Sequence, residues 1–74
     1  MRIDRMREQH VYFAETAMVQ LQLAEKYWKE RRVAKAQEHL IEARYWAYKV
    51  PAEEFTGTDF TQNLSELERK IFQG

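Results

Sequence analysis

The first 50 residues contain neither glycine nor proline, so no residue in them forces the backbone out of a helix. Residues that favour helices dominate this stretch, mainly Ala, Leu, Glu, Lys, Arg, Gln and Met. Apolar residues recur at helical spacing along its first part: Ile3, Met6, Phe13, Ala17, Leu21, Ala24 and Trp28. The pattern predicts a first helix over residues 2–30.

The charged tetrapeptide Lys29-Glu30-Arg31-Arg32 separates this first stripe from a second one. One apolar row of the second stripe is Val33, Ala36, Leu40, Ala43 and Ala47, and its neighbour is Ile41, Tyr45 and Tyr48. We predict a second helix over residues 33–49, which Pro51 ends. This helix is expected to fold back on the first, with alanines allowing close contact between the two. The alternative is one unbroken helix, about 75 Å long, which would have to dimerise to bury its stripe.

The rest of the sequence, after the second helix, predicts a loop over residues 50–58 and a third helix over residues 60–72. Pro51 can start a single turn, and Phe55 is expected to pack back onto the hairpin. Asp59 with Gln62 resembles a capping box. The apolar stripe of the third helix is Phe60, Leu64, Leu67 and Ile71. The sequence therefore predicts an all-α, three-helix domain spanning residues 1–74, made of a long antiparallel helical hairpin plus a short C-terminal helix.

Length and composition limit the kinds of protein that this chain can be. A chain of 74 residues buries only ~60% of the surface that it exposes when unfolded, so partner chains often supply the missing stability. Cysteine is absent, which excludes disulfides and thiolate metal sites. The absence of a long apolar run and of a signal-peptide pattern leads us to expect a cytoplasmic protein.

The charges are balanced overall but unevenly distributed. Twelve Lys and Arg match twelve Asp and Glu, which argues against a dedicated nucleic-acid-binding protein. Residues 1–50 carry ten basic and seven acidic side chains, whereas residues 51–74 carry two and five. The basic body and acidic tail could fold onto each other or pair with a second copy.

The predicted hairpin resembles a single tetratricopeptide repeat over about 30 residues. The matching positions are Leu23, Ala24 and Tyr27 on the first helix, and Ala36, Leu40 and Ala43 on the second. The sequence departs from the family pattern in four ways: Gln20 stands at the usual Trp, Arg31 at the turn glycine, Tyr48 at the proline, and Pro51 comes three residues late. The resemblance implies a peptide- or protein-binding module, for which one repeat alone would need neighbours from another chain.

Aromatic residues supply the candidate contact site. Tyr-Trp pairs occur on both hairpin helices, and adjacent helical residues point about 100° apart, so both members of a pair cannot face one core. We expect Trp46 to be the most exposed, because it lies off both apolar rows. The predicted partner-binding residues are Trp46, Tyr45, Trp28 and Tyr12 as anchors, with Arg31 and Arg32 steering an acidic partner. Alternatively, the rings pack against the third helix and Phe55.

Three further patterns bear on other functions. Lys26, Lys29, Arg31, Arg32 and Lys35 surround the turn and could bind nucleic acid, or simply be solvated. Arg32 and His39 have the spacing of HEPN-type ribonucleases, which are also helical, although two surface residues would give the same pattern. His39 and Glu42 could share a metal, but two ligands are too few for a site.

The sequence has no nucleophile arrangement and no phosphate-binding glycine loop. We therefore expect a non-enzymatic interaction protein without a metal or other cofactor: an adaptor, regulator or chaperone-like subunit. Its expected partner is another protein or a second copy of itself.

Overall fold

The computed structural model describes the backbone of residues 2–73 and the side chains of residues 8–73. Over that range the protein is all-α, and the predicted hairpin with a short C-terminal helix is confirmed. Its elements are α1 (Arg2–Lys29), α2 (Val33–Ala47), a 3₁₀ helix (Ala52–Phe55) and α3 (Phe60–Phe72). The molecule measures 45 × 19 × 15 Å, because the 28 residues of α1 set its length at about 1.5 Å per residue.

The turn between α1 and α2 is a Schellman C-cap. The Arg32 amide donates to the Tyr27 carbonyl at 2.8 Å, and the Arg31 amide donates to the Trp28 carbonyl at 3.0 Å. Arg31 has a φ of 63°, the left-handed conformation that glycine adopts most readily. The Arg32 guanidinium lies 5.1 Å from the centre of the Tyr27 ring and replaces the apolar contact that usually accompanies this motif. The chain reverses at the predicted tetrapeptide, so the continuous-helix alternative is wrong.

Replacing Arg31 with glycine is expected to raise the free energy of unfolding. Left-handed geometry costs a residue with a Cβ about 1–2 kcal/mol, and the greater unfolded-state entropy of glycine offsets part of that relief, leaving a gain of roughly 0.5–1 kcal/mol. Urea denaturation would measure it. Arg31→Ala is the matched control, because it removes the charge and keeps the strain. Equal stabilisation by both variants would assign the gain to charge removal.

Alanines dominate the core, which lies mainly between α1 and α2. The buried apolar residues of the described part are Ala14, Ala17, Leu21, Ala24, Ala36, Leu40, Ala43, Phe55, Phe60 and Leu67. Half of these ten are alanines, so the hairpin helices approach closely but bury little side-chain volume. Leu40 is the largest side chain that is completely buried.

The second apolar row of α2 faces solvent. Ile41 is 59% exposed, Tyr45 53% and Tyr48 81%, because α3 reaches α2 at Arg44, which pairs with Glu68, and leaves this row uncovered. Val33 is also exposed. The helix ends at Ala47, two residues before the predicted end. The side chains of the predicted stripe residues Ile3 and Met6, in contrast, lie outside the described residues.

Stacked phenylalanines join α3 to the hairpin. Phe55, at the end of the 3₁₀ helix within the predicted loop, is buried and stacks on Phe60 with ring centres 4.3 Å apart. The predicted Asp59 cap is wrong, because Asp59 makes no side-chain capping bond. Instead the Thr58 hydroxyl accepts from the Phe60 amide and donates to the Phe55 carbonyl. Gln62, the other member of the expected box, donates to Glu66.

Candidate interaction surface

Three heptad-spaced residues of α1 pair with Arg32 of the turn and two residues of α2 along one edge of the hairpin. Phe13 meets Trp46 with ring centres 5.2 Å apart. Gln20 meets His39 at 2.7 Å, and Tyr27 meets Arg32 at the turn. Residues seven apart lie on the same side of a helix, so the three pairs form one antiparallel ladder. The groove between α1 and α3 is lined by another set of residues: Glu25, Trp28, Lys29, Asn63, Glu66, Leu67 and Lys70.

The ladder ends in four aromatic rings that touch in sequence, which we call the aromatic strip: Tyr12, Phe13, Trp46 and Tyr45. Their successive ring centres are 5.9, 5.2 and 5.1 Å apart. The two tyrosines at its ends are exposed, at 63% and 53%, while Phe13 and Trp46 are half-buried. The inner rings thus hold the outer rings in place on the surface.

Polar groups flank the aromatic strip on α2. The Trp46 indole N–H donates to the Glu42 carboxylate at 3.2 Å. The Lys49 ammonium lies 4.6 Å from the centre of the Tyr45 ring, a distance at which a cation is attracted to a ring face. The strip therefore offers apolar ring surface with a carboxylate and an ammonium beside it.

The expectation that Trp46 is the most exposed aromatic residue is wrong. Phe13 covers its ring, and Trp46 is only partly exposed. Tyr48, which follows the end of α2, is the most exposed large apolar residue of the described part, at 81%. The aromatic strip consequently presents tyrosines to solvent and keeps its indole as support.

The six predicted contact residues do not form one site. Tyr12, Tyr45 and Trp46 come together in the aromatic strip, and Phe13 joins them, although the sequence did not mark it as an anchor. Trp28 packs on the core beside α3. Arg31 and Arg32 are exposed at the turn. Arg32 lies fourteen residues from Trp46, or about 21 Å along α2.

Five exposed cations surround the turn: Lys26, Lys29, Arg31, Arg32 and Lys35. Two of them, Lys26 and Arg32, lie over the Tyr27 ring at 5.9 and 5.1 Å from its centre. This end of the hairpin is therefore strongly basic, with Glu30 as the acidic residue of the turn.

His39 is held by packing in the ladder. Its ring stacks on Tyr27 at 5.2 Å, and its Nδ1 donates to the Gln20 side-chain oxygen. Tyr27 thus contacts both Arg32 and His39, the pair with ribonuclease-like spacing. These contacts give His39 a structural role between the two helices.

No three of the described His, Asp and Glu side chains come together as a metal site. In the described part of the chain, every helix is too short or too polar to cross a bilayer. No protein-family model, curated protein or solved structure matches this chain.

Proposed function

We propose that this protein is a small non-enzymatic interaction module that binds another protein, or a second copy of itself, through the aromatic strip. The observation that carries the proposal is the exposure of Tyr12 and Tyr45 on rings fixed by Phe13 and Trp46. Rings that are already ordered lose little conformational entropy on binding, and tyrosine and tryptophan are frequent hot spots of interfaces.

The composition of the core supports the same role. Alanines contribute little buried area, so a core with five alanines among ten buried residues stabilises the chain weakly. Small domains of this kind commonly gain stability from a partner. Binding at the aromatic strip would add the apolar burial that the hairpin lacks.

Arg31 and Arg32 are proposed to steer an acidic partner toward the module, since exposed charges speed the encounter more than they strengthen the complex. The resemblance of the hairpin to a tetratricopeptide repeat is a further proposal in favour of protein binding. A single such repeat would be expected to use neighbours from other chains. On this view the module acts as an adaptor, regulator or chaperone-like subunit.

Substitution of the outer tyrosines is expected to weaken partner binding. Tyr12→Ala and Tyr45→Ala should each reduce affinity about tenfold or more, the usual effect of truncating an interface hot spot. The partner would be captured on immobilised protein, identified by mass spectrometry, and titrated in purified form by calorimetry. Tyr48→Ala is the matched control, because Tyr48 is more exposed than either residue and lies outside the strip.

Equal losses for all three tyrosine variants, or no loss for any, would contradict a role for the aromatic strip. The basic turn supports a second candidate, a regulator that binds nucleic acid, because five exposed cations surround the turn and two of them lie over the Tyr27 ring. Salt-sensitive RNA binding that Arg31→Glu abolishes and Tyr45→Ala preserves would favour this second candidate instead.

A further inference from the structure

The middle of α1 is unusual because its surface between Glu15 and Glu25 lacks charge. The nine residues from Thr16 to Ala24 include no Asp, Glu, Lys or Arg, although they turn through every side of the helix. Two residues of this segment, Val19 and Gln22, are exposed. The solvated face of a surface helix normally carries charges, whereas the centre of a protein interface is depleted of them.

With Tyr12 one turn earlier, this stretch contains a heptad pattern that we call the α1 seam: Tyr12, Thr16, Val19 and Leu23. Successive members are four, three and four residues apart, the spacing of a two-helix interface. Tyr12 and Val19 are 63% and 52% exposed, and the other two are half-buried. The Thr16 hydroxyl already donates to the Tyr12 carbonyl at 2.8 Å, so covering the seam would not leave that donor unpaired.

The α1 seam lies on the opposite side of the helix from the residues that form the core. Ala17, Leu21 and Ala24 are buried in the core, and at about 100° per residue the centre of this set lies about 140° around the helix from the centre of the seam. Helix α1 therefore has two apolar sides, and the fold uses one of them.

We propose that the α1 seam packs antiparallel against the same seam of a second copy, forming a twofold-symmetric dimer. The inference rests on the proposed function and names its partner. In this arrangement Tyr12 lies opposite Leu23 of the second copy, and Thr16 lies opposite Val19. A surface that is complementary to itself forms a closed pair under twofold symmetry.

Charge complementarity sets the direction of the pairing. Glu8 and Lys26 are exposed on the same side of α1, near the two ends of the seam. Antiparallel pairing brings Glu8 of each molecule toward Lys26 of the other at both ends of the interface. Parallel pairing would instead bring like charges together, which interfaces avoid.

The solution mass of the full chain tests the dimer. Analytical ultracentrifugation should give twice the 9.0 kDa chain mass. Val19→Lys should raise the dimer dissociation constant by ~100-fold or more, because symmetry buries two unpaired charges. The helix itself should persist, since Val19 is half exposed and lysine favours helices. Ile41→Lys is the matched control: Ile41 is also β-branched, is 59% exposed, and lies on α2 away from the seam.

Cysteine cross-linking tests the direction, and the natural chain has no cysteine to interfere. In the antiparallel dimer, a Tyr12→Cys chain mixed with a Leu23→Cys chain should form a mixed disulfide. Tyr12→Cys alone should not cross-link, because its two copies would be separated by about 16 Å along the helix axis. Self-cross-linking of Tyr12→Cys without the mixed product would overturn the antiparallel arrangement.

A wild-type chain that stays monomeric at about 100 µM, a concentration at which weak dimers form, would overturn the inference. So would a dimer that Val19→Lys and Ile41→Lys affect equally. If the chain is monomeric and still binds another protein through Tyr45, the inference fails and the proposed function stands. If Val19→Lys dissociates the dimer while Tyr45→Ala alters no binding reaction, the dimer stands and the role of the aromatic strip fails.

Discussion

Replacing Leu40 with alanine is expected to unfold a large fraction of the protein at room temperature. Leu40 is the largest completely buried side chain of the described part, and truncating such a leucine costs about 2–5 kcal/mol. The alanines around it, such as Ala17 and Ala43, have no flexible side chains that could move into the cavity. A single small core rarely provides more than about 3–5 kcal/mol in total, so the loss approaches the whole stability.

Circular dichroism during urea denaturation would measure this effect at a fixed protein concentration. Ile41→Ala is the matched control, because Ile41 is adjacent on α2 and 59% exposed. The free energy of unfolding of Ile41→Ala should stay within about 0.5 kcal/mol of the wild-type value, the range of most surface substitutions. If Leu40→Ala were no more damaging than Ile41→Ala, the alanine-rich interface could not be the main core of the protein.

The parts of the fold that depend on local sequence could be predicted. The absence of glycine and proline before Pro51 predicts the helices. Apolar residues at helical spacing, such as Ala24 on α1 and Ala36 and Leu40 on α2, predict which sides are buried. The turn at Arg31 was also predicted, although its residue type is unfavourable there. A left-handed arginine fits because the two capping hydrogen bonds from Arg31 and Arg32 fix the backbone.

The parts that depend on long-range packing could not be predicted. The sequence placed two adjacent apolar rows on α2, and the structure leaves Ile41 and Tyr48 of the second row in solvent. The polar contact at the start of α3 was missed for a local reason: Thr58 and Asp59 both favour caps, and it is the Thr58 hydroxyl that accepts from a first-turn amide, that of Phe60.

The candidate site shows the same division. Aromatic composition alone identified Tyr12, Tyr45 and Trp46, which the structure joins in the aromatic strip. Phe13 pairs with Trp46 because of the way the two antiparallel helices are aligned. The turn, at the opposite end of the hairpin, sets that alignment. The sequence could not distinguish Trp28 from the other anchors. Only the packing of α3 on its side of α1 shows that Trp28 packs against the core.

Replacing Phe55 with alanine is expected to release α3 from the hairpin. Phe55 is only 7% exposed and stacks on Phe60 at 4.3 Å, and truncating a buried phenylalanine costs about 3–5 kcal/mol. Leu67 would still pack on the hairpin, but the accompanying polar contact is weak: the ion pair of Arg44 with Glu68, 3.3 Å long, is partly solvated, and such pairs contribute about 0–1 kcal/mol.

Amide hydrogen exchange would locate this loss within the molecule. Protection should fall first over α3, while the α1–α2 hairpin, whose two helices pack mainly on each other, should keep more of its protection. Phe72→Ala is the matched control, since Phe72 ends the same helix and is 52% exposed. Equal loss of protection in all three helices would show that α3 and the hairpin unfold as one cooperative unit. In that case the stack of Phe55 on Phe60 would stabilise the whole fold, and the thin hairpin core could not persist without α3.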